Sequence, residues 1–397
     1  MSRRVLYISY DGMTDNLGQS QVIPYLKGLS ELGYSFTLLS CEKPENYTNN
    51  KTLIQELLNE SKIEWIPLMY HKSPPILSTA FDLYKIQTKA ISLYNELKFD
   101  IVHCRSYLPS LVGLRLKKKY GVKFIFDMRG FWADERIDGN LWNIKNPIYK
   151  LIYNIFKRRE KSFLQESDYI ISLTQNGKKI ISSGELGYQV NTPIQVVPCC
   201  VDLDLFNIKE RKKIKGEFIL SYIGSIGTWY MLDEMLDFFK ILNTIKTNAK
   251  FLFITREPKQ YVLDRCIAKK IDVNSIIIKS AERNEVPAYI AQSDASIFFI
   301  KPVFSKRASS PTKQGEIMAM GVPIICNTKV GDTEYVVEKY NSGILINSFV
   351  LSAYKKAIDE LLNLDFKSAD IRNGAQDFYS LTRGIENYDA VYKKCLV

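Results

Sequence analysis

Apolar residues in this chain follow two rhythms that alternate. Short continuous runs are followed by stretches in which apolar positions recur every third or fourth residue. Residues 4–10 contain the run Val5, Leu6, Tyr7, Ile8 and predict a first strand. A polar, glycine-containing loop spans 11–20. Val22, Tyr25, Leu26, Leu29 and Leu32 then recur at helical spacing over 19–32, and Gly33 ends the helix. Residues 35–40 predict the second strand, completing a strand–helix–strand unit of the doubly wound kind.

The rhythm restarts after residue 217: a strand at 218–223, a tight loop Gly224-Ser225-Ile226-Gly227, a helix near 230–246 and a strand at 250–255. Two restarts predict two α/β domains rather than one long sheet, although the two units are not alike in sequence. Further strands are expected at 101–104, 123–127, 169–173 and 195–197, and in the second half at 275–278, 295–300, 323–326 and 343–346. Helices such as 151–163 and 313–320 fill the gaps, and a polar, charged link is expected at 198–215. The last helix, 382–395, has the length to pack back on the first domain. The expected division is 1–200 with 380–397, and 201–379.

Composition narrows the class. The chain has 397 residues, 46 % of them hydrophobic, which suits buried cores and not disorder. Its seven cysteines are odd in number and lack CxxC spacing, so neither a disulfide framework nor structural zinc is expected. The first apolar run is too short for a signal peptide, and no later stretch approaches the ~20 apolar residues of a membrane span. A soluble, cytoplasmic protein is the expectation. The net charge is +11, with basic clusters around Arg115–Lys123, Lys157–Lys161 and Lys209–Lys215. A solvated lysine-rich surface and an anionic membrane surface both accommodate this charge. Nucleic acid ranks last and is not expected as a partner, because no binding motif accompanies the charge.

Four constellations carry candidate chemistry. In SKRASSPTKQGEIMAMGVP (305–323), small residues precede a helix opened by Pro311 or Thr312 and carrying Lys313 and Glu316. Free N–H groups and partial positive charge at a helix start suit phosphate, and Lys301, Lys306, Arg307 and Lys313 add cations. A carboxylate one turn later suits the two hydroxyls of a ribose. An ordinary capped helix with a Lys313–Glu316 salt bridge is the plainer alternative. The loop Gly224 to Thr228 lets backbone approach a ligand, although the full GxGxxG fingerprint is absent. The loop 11–21 ends the first strand, where open α/β sheets place ligands, and its Asp15, Asn16, Gln19 and Ser20 suit sugar hydroxyls. Finally, DMRGFWADER (127–136) and DIVHCRS end neighbouring strands with Asp127, Arg129, Trp132, His103 and Arg105.

At these residues the chain resembles glycosyltransferase family 4, with the GT-B fold of two Rossmann-like, doubly wound α/β domains facing across a cleft. The series Ser310, Pro311, Thr312, Lys313, Glu316, Ala319, Gly321, Pro323 resembles the family's donor-binding helix. VVPCCVDLDLF resembles its inter-domain segment, with Cys200 where a glycine is usual, and DNLGQSQVIPYLKGLSELGY resembles the opening of bacterial members acting on surface polysaccharides such as capsule and lipopolysaccharide.

The resemblance implies retaining, metal-independent transfer from a nucleoside-diphosphate sugar to a saccharide or lipid-linked saccharide, without a cofactor. If the basic clusters share one face of the first domain, the cytoplasmic protein is expected at the inner face of the membrane, resting on anionic lipid. The resemblance assigns donor binding to Gly224, Ser225, Gly227, Thr228, Arg256, Glu282, Arg307, Ser310, Pro311, Thr312, Lys313 and Glu316, with 280–283 lining the base. The strand-end constellations are the expected acceptor site, Asp15, Asn16, Gly18, Gln19, Arg105, Asp127 and Trp132, and catalysis is expected of His103, Arg129, Lys313 and Glu316. A nucleotide-sugar epimerase and a non-catalytic nucleotide-sugar binder are the rival readings.

Three departures from the family pattern stand out. Ala308 replaces an acid, Ser225 and Tyr230 stand near the places of an Arg and a Lys, and Arg129 stands near that of a histidine. Lys313, Arg307 or Arg256 are the candidates to restore the lost charge. Asp202-Leu203-Asp204 matches the DxD metal pattern of another glycosyltransferase architecture, but its position before a charged link argues against a metal.

Overall fold

A computed structural model describes residues 3–207 and 216–396. The basic cluster Lys209–Lys215 and the second part of the expected link, 208–215, therefore lie outside the described residues. The chain divides into two compact units, Met1–Pro198 with Leu381–Val397, and Cys199–Ser380.

The first unit has seven parallel strands: β1 Arg3–Ser9, β2 Tyr34–Glu42, β3 Glu64–Met69, β4 Ile101–Arg105, β5 Lys123–Asp127, β6 Tyr169–Ser172 and β7 Ile194–Val196. They lie in the order β3-β2-β1-β4-β5-β6-β7. β3 was not legible in the sequence: only Trp65 is fully buried in it, as befits an edge strand covered on one side. The C-terminal helix Leu381–Leu396 packs on the helix Ile23–Glu31 of this unit, with Ile385 filling the space a side chain at Gly28 would need.

The second unit has six: β8 Phe218–Ile223, β9 Ala249–Ile254, β10 Ile276–Lys279, β11 Ala295–Phe298, β12 Ile324–Asn327 and β13 Gly343–Ile346, in the order β10-β9-β8-β11-β12-β13. Parallel strands covered by helices on both faces must be apolar throughout, which is why these runs show no alternation. β8, β11 and β12 are buried almost without exception.

Each sheet reverses its strand order beside its first strand, between β1 and β4 and between β8 and β11. Open α/β sheets bind ligands at such a switch point, outside the carboxyl ends of the strands. The predicted loop after β1 is shorter than expected. A helix already starts at Asn16, and Pro24 makes a second one, Ile23–Glu31, begin separately.

Two predicted basic clusters are partly neutralised internally. Lys117 and Lys123 share Asp168 at 2.7 and 4.0 Å, Lys118 pairs with Glu166 at 2.7 Å, and Lys157 bridges Asp134 and Glu160. Among the described residues, no helix is long and apolar enough to cross a membrane.

Candidate active site

In the second unit, the loop after β8 and the segment after β11 flank the switch point. Gly224 follows β8 with φ +102°, a backbone conformation that L side chains rarely adopt. A Cβ there would lie 3.4 Å from the Nζ of Lys313. Lys313 belongs to the helix Thr312–Ala319, which Pro311 precedes, and Ser310 Oγ just before it accepts from the Cys199 N–H at 3.1 Å.

Lys313 is buried and, among the described residues, its ammonium has no hydrogen-bond partner. Its neighbours are ring faces, Tyr230 at 3.5 Å and Tyr222 at 4.1 Å from the centroids. Burial drives the lysine well below its usual pKa, and the charge of Glu316 opposes this only in part. A buried cation without a hydrogen-bonded partner is costly, and ring faces offset only a fraction of that cost.

Glu316, one turn on, is also buried, and Arg283 donates to its Oε1 at 2.9 Å. Burial raises its pKa, with Arg283 and then Lys313 pulling the other way. The plainer alternative, a Lys313–Glu316 salt bridge on the surface, is thus not what forms: the carboxylate takes Arg283 instead. Arg283 also stacks over Phe206 at 5.3 Å.

The other expected donor residues scatter. Arg256 and Glu282 pair with each other at 2.6 Å in an exposed position. The Arg307 guanidinium lies 5.8 Å from the Phe304 ring centroid. Ser225, Gly227 and Thr228 stand exposed on the loop. Of the three candidates to restore charge near Tyr230, only Lys313 is shown beside the glycine loop. Lys306, whose ammonium sits 3.8 Å from the Trp229 ring centroid, is a second cation on the loop's flank. Ala308 is buried and packs where an acid was missing from the family pattern.

In the first unit, Arg105 at the end of β4 reaches across the switch point to Asp11, 3.3 Å away, just after β1. Arg129 follows β5 with φ +57° and lies 3.8 Å from buried Asp127. A non-glycine residue held at positive φ beside a charge cluster is the kind of stored strain found at functional sites. Burial would raise the Asp127 pKa, but Arg129, His103 and Arg105 together hold it below the usual value.

His103, expected to take part in catalysis, is packed inside the first unit in this structure. It is 1 % exposed, with Nδ1 2.7 Å from the Tyr392 hydroxyl and Nε2 3.5 Å from Asp127. Tyr7, Tyr388 and Tyr392 surround the ring, and burial keeps the imidazole neutral. The reason is topological: β4 is central, and the C-terminal helix covers His103.

Trp132 is likewise enclosed. It stacks on Tyr107, meets Phe156 and Trp142 edge-on and carries Arg136 4.8 Å over its ring. Asp15 accepts from Lys43 at 2.6 Å and from Asn46, while the Gln19 amide donates to the Thr14 carbonyl at 3.2 Å. Gly18 lies so close to the Gly12 carbonyl that a Cβ would be 2.3 Å from it, and the Asn16 carbonyl accepts from Ser20. These loop residues brace one another.

The residue that organises the loop was missed. Glu42, at the end of β2, is fully buried and accepts four bonds: Met13 N–H (2.8 Å), Thr14 N–H (3.0 Å), Thr14 hydroxyl (2.6 Å) and Ser40 hydroxyl (2.5 Å). Its signal was a lone acid ending the apolar run SFTLLSCE. A second buried acid, Asp82, accepts from the Tyr10 hydroxyl and the His71 N–H, both at 3.0 Å, and lies 2.5 Å from His71 Nδ1. The DxD pattern resolves as a turn: Asp202 Oδ1 accepts the N–H of Asp204 and of Leu205 at 3.0 Å. Among the described residues, no three His, Cys, Asp or Glu side chains gather as metal ligands.

The family model described as Glycosyltransferase Family 4 matches residues 20–205, and that described as Glycosyl transferases group 1 matches 205–378. The fold is similar to that of a sucrose-phosphate synthase from Thermosynechococcus elongatus, at 12 % identity and TM-score 0.77 over 99 % of each chain. It is also similar to Anabaena HepE in complex with UDP and glucose, at 11 % identity and TM-score 0.71 over 98 % of this chain and 99 % of that one. A third likeness is to the lipopolysaccharide outer core galactosyltransferase WaaB in its apo form, at 14 % identity and TM-score 0.65 over 98 % and 99 %. No curated protein matches the sequence.

Proposed function

Since this chain belongs to the family 4-type glycosyltransferases of the GT-B fold, we propose that it transfers a sugar, with retention, from a nucleoside-diphosphate sugar to a saccharide or lipid-linked saccharide. The observation that carries this reading is the buried ammonium of Lys313, without a hydrogen-bond partner among the described residues, beside Gly224 at the switch point. A diphosphate is the anion that fits there. The loop after β8 presents backbone to it, the helix start at Thr312 adds N–H groups, and Lys313 supplies charge. Glu316, steadied by Arg283, accepts from the ribose hydroxyls.

In the reaction the bond from the anomeric carbon to the diphosphate oxygen breaks, the acceptor hydroxyl oxygen bonds to that carbon, and its proton leaves with the diphosphate, on which negative charge grows. Lys313 and the helix-terminal N–H groups meet that charge where other enzymes use a metal, so transfer proceeds without metal or cofactor. The acceptor is held in the first unit, where Asp11, Arg105, Asp127 and Arg129 collect at the strand ends. The likeness to HepE with UDP and glucose and to a lipopolysaccharide galactosyltransferase supports a nucleotide-sugar donor and a surface-polysaccharide acceptor.

A thermal-shift panel of nucleoside diphosphates and their sugars tests the reading, because a ligand that binds only the folded state raises its melting temperature. At least one diphosphate should shift it; a panel with no response would remove the donor assignment.

A further inference from the structure

The acids around the carboxyl edge of the first sheet are taken, and one cation beside them is not. Asp11, after β1, holds Arg105 at 3.3 Å. Asp127, which ends β5, lies 3.8 Å from Arg129. Asp82 serves the Tyr10 hydroxyl and His71. Asp134 accepts from the Tyr153 hydroxyl and from Lys157, both at 2.8 Å. Arg136, in the helix Trp132–Asp138 that follows β5, has no ion pair and no side-chain hydrogen bond among the described residues.

Arg136 is half-buried, with its guanidinium 4.8 Å from the Trp132 ring centroid. Burial lowers its pKa, while Glu135, Tyr70 and Asp11 pull the other way without pairing to it. A ring face offsets part of the cost of desolvating a cation, yet it leaves the planar N–H fork unspent. Packing on Trp132 would be served as well by methionine, which brings no desolvated charge.

Rings line the same edge. Tyr70, within electrostatic reach of Arg136, follows β3 and meets Tyr10 edge-on at 5.7 Å. The next residue, His71, meets Phe81 edge-on at 5.2 Å, and Phe81 is 47 % exposed. These residues follow β1, β3 and β5, so the guanidinium, the Asp11 carboxylate and a row of rings share the carboxyl edge of one sheet. Rings that cover the C–H face of a pyranose, beside a carboxylate that accepts from its hydroxyls, suit a saccharide. A free guanidinium fork adds a demand for charge, because it matches a carboxylate or a phosphate bidentately.

We propose that the acceptor saccharide is acidic, and that Arg136 grips its anionic group, a sugar carboxylate or a phosphate, while Tyr70, His71 and Phe81 flank the sugar. The inference rests on the glycosyl-transfer reading, which leaves the acceptor's charge open, and narrows it.

Ligand-observed NMR titration of the full chain, with UDP present, tests it on two matched pairs: trigalacturonate with its methyl ester, and glucose 6-phosphate with glucose. The wild type should bind the acid of at least one pair about ten-fold tighter than its neutral partner, the scale of one hydrogen bond to a charged group. Preference in the first pair marks a sugar carboxylate, and preference in the second a phosphate. Arg136→Met should bring acid and neutral partner to parity. Arg136→Lys, which keeps a charge and loses the fork, should retain only part of the preference. A wild type with no preference in either pair overturns the proposal, as does a preference undiminished in whichever variant melts at the wild-type temperature. Calorimetric affinity for UDP should be equal in Arg136→Met and the wild type. If it falls in the variant, Arg136 serves the donor and the proposal is overturned. A wild type that binds no UDP strikes the donor reading instead, and the comparison of acid with neutral partner is read separately.

Discussion

The ammonium of Lys313 lies 3.5 Å from the centre of the Tyr230 ring. Tyr230 stands near the position where family members often carry a second cation, and the helix lysine brings its charge to that spot from the other side of the glycine loop. The ring is partly buried, and desolvation pushes its hydroxyl up to about 12, so it meets the lysine as a neutral aromatic face.

Replacing Lys313 with alanine should lower kcat/KM by about 100-fold, the scale of losing one preorganised electrostatic contact to the developing charge. A variant with wild-type rates would refute this role. The lysine also couples binding to pH. Burial lowers its pKa in the folded protein. Below the unfolded value of 10.5 the unfolded chain therefore takes up this proton first, and stability falls as pH drops through that window until Lys313 itself is protonated. A bound diphosphate reverses the preference, so donor binding should draw a proton from buffer. Calorimetry of UDP binding in buffers of different ionisation enthalpy should show uptake in the wild type and none in Lys313→Met.

Glu316→Ala removes the carboxylate and leaves Arg283 without its 2.9 Å partner. Hydrogen bonds to a charged group contribute about 1.5–3 kcal/mol, so nucleotide affinity should fall roughly ten- to hundred-fold. Unchanged affinity by calorimetry would show that the acid serves only Arg283.

Glu42→Gln introduces an amide N–H₂ among four donors that all point at the carboxylate. At least one buried donor then loses its acceptor, at about 1–3 kcal/mol. The melting temperature should fall by roughly 2–4 °C for each kcal/mol lost. Amide exchange at Met13 and Thr14 should accelerate most. If exchange there is unaltered, the loop is held by something else.

The His103–Asp127 pair predicts acid sensitivity of the first unit. Burial lowers the His103 pKa below 6.5, so as pH falls past 6.5 the unfolded chain binds a proton that the folded chain refuses, and stability drops. Asp127, held below 3.8 despite burial, adds stability that is present above 3.8 and disappears as pH falls through its folded value. Melting temperature should decline between pH 7 and 5 in the wild type and decline less in His103→Gln. Equal slopes would exclude His103 as the source.

The sequence by itself determined the repeated α/β rhythm and most strand positions, because a parallel strand buried on both faces must be an unbroken apolar run. β8 and β13 fall at the predicted residues, whereas the edge strand β3, with its half-polar surface, gave no such signal. It also marked the chemistry of 310–316, since a proline-led helix carrying a lysine and then an acid one turn later is a local pattern.

Only the tertiary structure decided which of many charged residues matter. Arg256, Glu282, Asp15 and Trp132 have the right types at strand ends, yet they spend their interactions on neighbours. His103 vanished into the tyrosines brought by a helix almost 290 residues later. Glu42 and the Tyr222–Tyr230 box emerged only once strands were laid side by side. Burial and partnership are properties of pairs distant in sequence, and a linear pattern holds no record of which carboxylate a cation will find.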